Sequence, residues 1–150
     1  MGNSQFIRNN FDKIWPVHLA GFTKLLIQLR ERFDGDLDLM LVLAVIGGRT
    51  RPEIWKPQLV SAEEMTSSDS SYSSQYPINI QSVAEFSGIP RETVRRKVGI
   101  LQDKGWVIRD RDGRLSVTDT AAMGLASETD STIAYLAALR TVFDGEDDIK

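Results

Sequence analysis

Apolar residues fall along the chain in groups whose spacing sets the expected elements. Phe11, Ile14, Trp15, Phe22, Leu25, Leu26, Leu29 and Phe33 recur at helical intervals, the pattern of one broad buried face. Pro16 interrupts this run. A proline in a helix interior removes a hydrogen bond, so the helix is expected to begin near Trp15 or to be joined there by a short turn. From Leu37 to Ile46 the chain is apolar almost all round. That predicts a helix buried on every side, capped by Asp36, stopped by Gly47-Gly48 and too short to span a membrane.

The stretch 79–118 changes period several times. Asn79 can cap a short helix with Val83, Ala84 and Phe86 as core candidates. Gly88 suits the left-handed end of that helix, and Ile89 packs beneath the turn. Pro90 suits the start of a second helix, in which Val94, Val98 and Leu101 share one stripe. Gly105 then ends the helix and Trp106 opens a strand. Trp106-Val107-Ile108 and Leu115-Ser116-Val117 flank a charged tip containing Asp112-Gly113. Asp-Gly signals a tight hairpin turn, with positive φ expected at both residues.

The flanks are simpler. Residues 119–127 are short and rich in small side chains. A last helix is expected from a cap within Ser127 to Asp130, through Ile133, Leu136, Ala137, Leu139 and Phe143, to a stop at Asp144-Gly145. Between residues 49 and 77 the pattern fails. Pro52 and Pro57 break it, Glu53-Ile54-Trp55 suits one helical turn, and Ser67 to Ser74 holds six serines in eight residues. Such a segment buries too little apolar surface to offset its ordering cost, which predicts a mobile insertion.

The expected architecture is mainly α with a small β-hairpin wing: a winged helix-turn-helix with flanking N- and C-terminal helices. A length of 150 residues fits one domain. It would comprise N-terminal helices over 1–48, the insertion over 49–77, the core over 78–118, and a C-terminal helix with an acidic tail over 119–150.

Composition narrows the function classes. The chain has no cysteine, which excludes disulfides, thiolate nucleophiles and thiolate metal sites. No apolar run matches a membrane span and no secretory signal is visible, so a cytoplasmic location is expected. The net charge of −3 argues mildly against nucleic acid, but its distribution matters more. Residues 78–118 hold eight Lys/Arg and five Asp/Glu, a balance of 8 − 5 = +3, leaving −6 elsewhere. A basic region on an acidic body fits a DNA reader whose other surfaces do other work.

On the second helix of the core, Glu92, Arg96, Gly99 and Asp103 face away from the buried stripe, with Arg95 on its flank. Arg91 stands at the N-terminal end, the part of such a helix that enters a major groove. A mid-helix glycine costs roughly 1 kcal/mol against alanine, which suggests close approach by a neighbour at Gly99. The same face also suits an ordinary solvated helix. Arginines at the hairpin tip have the reach to meet phosphates or a minor groove.

The run GIPRETVRRKVGILQDKGWVIRDRDGRLSVTDT resembles the core of MarR-type bacterial transcription regulators. It matches them at Gly88, Ile89, Thr93, Val94, Leu101, Lys104, Gly105, Val107, Asp112, Gly113, Arg114, Val117 and Thr118. IclR- and GntR-type regulators share most of this pattern. The resemblance implies a homodimer on a near-palindromic double-stranded DNA operator. It implies DNA contacts at Arg91, Thr93, Arg95 and Arg96, with Arg111 and Arg114 on the wing. Lys97 belongs to the same basic run and is a further candidate, although it stands where the family usually has a hydrophobic residue. The close at Val117-Thr118 also lacks the glycine common soon after it.

No catalytic, cofactor or metal site is expected. His18, the only histidine, sits among Pro16, Val17 and Leu19 and reads as a packed or half-exposed residue. Asp34, Asp36 and Asp38 imitate part of a calcium loop but lack its terminal Glu, and read as helix caps. A small-molecule effector between the helices would have Trp15, Phe22 and Trp55 available to line its pocket, although core packing is the expected role of each. The broad stripe on the first long helix suits half of a dimer interface. The rival to a DNA-binding regulator is a winged-helix module that binds protein without specific DNA binding, and a replication module shares the same fold.

Overall fold

A computed structural model of the chain describes residues 2–50 and 78–147. The expectations for 51–77, a helical turn at Glu53-Ile54-Trp55 and a serine-rich mobile loop, lie outside the described residues. The structure is mainly helical with a small two-stranded antiparallel sheet. The chain divides into two compact units, one of Met1–Gly35 with Ala126–Lys150 and the other of Asp36–Leu125.

In the first unit, helix α1 (Asn3–Asn9) precedes helix α2 (Phe11–Arg32). The sequence pattern did not reveal α1, and α2 begins four residues before the expected start at Trp15. Pro16 lies inside α2. Near the N-terminus its cost is one backbone hydrogen bond, to the Asp12 carbonyl. Aromatic stacking spans the proline: Phe11 lies on Trp15 at 5.0 Å between centroids, Trp15 meets His18 at 5.1 Å, and His18 stacks on Phe22 at 5.4 Å.

The last helix of the chain, Ala126–Asp147, packs along α2 within the same chain. Its start differs from the expected cap between Ser127 and Asp130. The Ser127 hydroxyl instead accepts from Gln28 Nε2 at 3.0 Å, and Arg32 pairs with buried Glu128 at 2.9 Å. It also runs past Asp144-Gly145, the expected stop, where Arg140 and Asp144 pair one turn apart at 2.9 Å. Midway, the Tyr135 hydroxyl lies 2.5 Å from His18 Nδ1. The Tyr135 ring occupies the space a side chain at Gly21 would need, so glycine permits the two helices to approach.

The apolar stripe of α2 is less buried than its spacing predicts. Ile14 and Phe33 are buried, whereas Phe11, Trp15, Leu19, Phe22 and Leu26 are exposed. Trp15 and Phe22, expected in the core, are 44% and 40% exposed. The last helix packs along one flank of α2 and touches its aromatic flank at His18, through Tyr135.

In the second unit, helix α3 (Leu37–Arg49) is capped by Asp36, whose Oδ1 accepts from Leu39 N at 2.9 Å. It continues through Gly47-Gly48, the expected stop. Thr50 instead closes it, its hydroxyl donating to the Ile46 carbonyl at 2.9 Å. The expectation of burial on every side holds for one face only. Leu39, Val42, Leu43 and Ile46 are buried, while Leu37 and Leu41 are exposed, and among the described residues α3 has three main neighbours in this unit.

Those neighbours are helix α4 (Ile80–Ser87), helix α5 (Arg91–Asp103) and strand β2 (Leu115–Val117). Asn79 caps α4, accepting from Ser82 N at 2.8 Å, and Gly88 ends it at φ 74°. Ile80, Val83 and Ala84 are buried, but Phe86 is 76% exposed, which corrects its place among the core candidates. At 100° per residue it falls about a third of a turn from the centre of that apolar face. Pro90 precedes α5, and Val94, Val98 and Leu101 form the buried stripe expected for it.

Strand β1 (Val107–Arg109) pairs with β2, Val107 facing Val117 and Arg109 facing Leu115. Ile78 adds an isolated bridge on the other side of Leu115. The connection differs from the expected two-residue turn. Gly113 has φ 79°, but Asp112 does not share the positive φ. Asp110 N donates to Arg114 O at 3.0 Å and Gly113 N to Asp110 O at 3.1 Å, closing a three-residue loop with glycine at its left-handed position. The Asp110 carboxylate also accepts the amides of Asp112 and Arg114, both at 2.9 Å. Thr118 then donates to Gly105 O at 2.6 Å and caps helix α6 (Asp119–Gly124), where Trp106 packs over Gly124. The last helix, Ala126–Asp147, is α7.

Candidate nucleic-acid interface

Helix α5 keeps one face open because its partners take the Val94, Val98 and Leu101 side. Arg91, Glu92, Arg95 and Arg96 are exposed and Thr93 is half-buried. Arg95 clamps Glu92 one turn earlier, with Nε 3.1 Å from both carboxylate oxygens and Nη2 2.5 Å from Oε1. The Arg95 hydrogen bond, opposed by desolvation, holds the Glu92 carboxyl below its ordinary range, and the charges of Arg95, Arg96 and Arg91 add to this. The same hydrogen bond raises Arg95. The charges of three guanidiniums therefore act on one carboxylate, a local balance of 3 − 1 = +2, and Arg95 alone is bonded to it. An exposed intrahelical pair contributes little stability, which leaves Arg95 free to exchange Glu92 for another anion.

Lys97 is placed differently from its neighbours. Its Nζ lies 2.5 Å from Asp36 Oδ2, and its side chain is only 18% exposed. It faces α3 and is engaged inside the unit. Gly99 sits on the outward side, and among the described residues nothing beyond its own helix lies within 4 Å of where a Cβ would stand.

At the hairpin tip Arg111 and Arg114 are exposed. Three arginines (109, 111, 114) stand against Asp110 and Asp112, a balance of 3 − 2 = +1. Asp110 already accepts two backbone amides. Arg114 lines a groove of about 950 Å³ with Arg49, Asn79, Ser82, Val45 and Phe86. Sequence reasoning did not link Arg49 and Phe86 to this face. An arginine in the last turn of α3 and an apolar residue off the buried stripe of α4 were the available signals.

Among the described residues, no group of three or more His, Asp or Glu could hold a metal ion. His18 is half-buried between aromatic rings and bonded to Tyr135. Of the residues named for an effector pocket, Trp55 lies outside the described residues. No helix among the described residues is long and apolar enough to cross a membrane.

Comparison with protein-family models, curated proteins and solved structures finds no match for this chain.

Proposed function

We propose that the chain is a sequence-specific DNA-binding transcription regulator, a cytoplasmic homodimer of MarR-like build acting on a near-palindromic operator. In this reading α4, the Gly88 turn and α5 form a helix-turn-helix, and β1, β2 and their loop form its wing. The observation that carries it is the open face of α5, where Arg91, Arg95 and Arg96 are all exposed ahead of an arginine-tipped hairpin. The N-terminal part of α5 would enter the major groove, with Thr93 at its edge, and Arg111 and Arg114 would meet the flanking backbone or minor groove. Lys97 leaves the set of direct contacts because Asp36 engages it.

Dimerisation is supported by α2. Phe11, Trp15, Leu19, Phe22 and Leu26 remain exposed on one helix, a surface that a second copy would cover around a two-fold axis. Two helix-turn-helix modules would then face two half-sites one helical turn apart.

The test is substitution of both Arg95 and Arg96 by Ala. Loss of duplex binding with an unchanged unfolding midpoint supports the reading, and unchanged affinity rejects it. A protein-binding module is the second reading. Phe86, Ile108 and Met123, which are 76%, 60% and 63% exposed on the second unit, favour it, since exposed apolar side chains suit a protein partner better than phosphates.

A further inference from the structure

We propose that Lys97 is a positioning residue. Its ion pair with Asp36 fixes the rotation of α5 on α3, and with it the direction in which Arg91, Arg95 and Arg96 face. The inference rests on the reading of α5 as the DNA-facing helix.

The geometry carries it in three steps. Asp36 is itself held, because Oδ1 accepts the Leu39 amide in the first turn of α3 while Oδ2 meets Lys97. The pair therefore joins a rigid point on α3 to α5 across 61 residues of sequence. The two side chains are 18% and 31% exposed, so solvent screens them less than a surface pair.

The second step concerns what else grips α5. Val94, Val98 and Leu101 lie nearly along one line of the helix. Apolar packing along one line resists separation better than rotation, because it is non-directional. Lys97 stands about 60° off that line and is tethered by a directional, charge-assisted bond.

The third step is the consequence. A side-chain tip on a helix lies about 5–6 Å from the axis, so a rotation of about 20° moves it by about 2 Å. Hydrogen bonds to base edges lose their geometry over that distance. Arg95 cannot supply the restraint, because its partner Glu92 lies on the same helix.

The experiment compares full-length wild type, Asp36→Asn, Lys97→Met and the double variant, with a selected duplex titrated across a range of salt. Asn at 36 keeps the helix cap and removes only the charge. Each single variant is expected to bind about three- to tenfold more weakly, an effect of the size of one partly buried pair. The double variant should be no weaker than either single, and the slope of log affinity against log salt should be unchanged. A slope reduced by about 0.9 in Lys97→Met, with Asp36→Asn binding as tightly as wild type, marks a direct phosphate contact and overturns the proposal. If wild type binds no duplex, the DNA reading itself fails. The tether is then judged from amide chemical shifts: matching changes along α5 in both single variants support it, and changes confined to each substituted residue overturn it.

Discussion

The Thr50 hydroxyl accepts the backbone N–H of Val117 at 2.9 Å while donating to the Ile46 carbonyl at 2.9 Å. Both residues are buried, and the bond ties the end of α3 to β2. Thr50→Val keeps the shape and removes the acceptor. It should cost about 1–3 kcal/mol, the penalty of a buried donor left unpaired. Thr50→Ser should retain most of the stability. Chemical denaturation of the three proteins checks this, and equal loss in both variants would point to the methyl group instead.

Gly21→Ala should destabilise the α2–α7 pair by about 1–3 kcal/mol, because the added methyl meets the Tyr135 ring. Combining it with Tyr135→Ala should recover part of that loss. Helix content followed by circular dichroism during heating reads the effect.

Gly99→Ala should move stability and binding in opposite directions. Among the described residues nothing beyond its own helix obstructs the methyl, so the fold should gain up to about 1 kcal/mol from helix propensity. Duplex affinity should fall if the DNA backbone approaches α5 there. Improved stability with unchanged affinity would make this glycine irrelevant to binding.

Acid should release the α3–α5 tether. Burial opposes ionisation of Asp36, but the Lys97 hydrogen bond, the Leu39 amide and the Lys97 charge together hold its carboxyl below the ordinary range. A carboxyl lowered on folding adds stability above its unfolded value near 4, and that stability is lost as pH falls through the lower folded value. The difference in stability between wild type and Asp36→Asn should therefore be constant at neutral pH and shrink below about pH 4. A difference that persists unchanged at pH 2 contradicts the assignment.

Leu19→Glu with Phe22→Glu should convert a dimer to a monomer with little loss of helix content, since both side chains are already half open to solvent. Sedimentation velocity distinguishes the two states. A wild type that sediments as a monomer across the micromolar range removes the role assigned to α2.

Much of the second unit was legible because local chemistry specified it. Asn79, Gly88, Pro90 and the Val94–Val98–Leu101 stripe each follow from caps, turn conformation and helical period. The misreadings arose where a distant partner overrode a local signal. Gly47-Gly48 resembles a helix stop, but Thr50 extends α3 by bonding both its last turn and β2. Ser127 resembles a cap, but Gln28 takes its hydroxyl. The Asp112-Gly113 turn was misread because the Asp110 carboxylate builds a longer loop. For the candidate site, spacing placed Arg96 opposite the buried stripe of α5 and Arg95 on its flank, and both are exposed. It gave no access to the Lys97–Asp36 pair, whose members lie on different helices. Burial was overestimated for α2 and α3 because periodicity marks an apolar face without saying what covers it.

The measurement closest to the central claim is selection of bound sequences from a pool of random duplexes, at low and then moderate salt. The account predicts recovery of a motif with two inverted half-sites centred about one helical turn apart, bound far more weakly once Arg95 and Arg96 are replaced. Recovery of no motif, with weak binding that disappears at moderate salt, would contradict it and leave the protein-binding module as the better account.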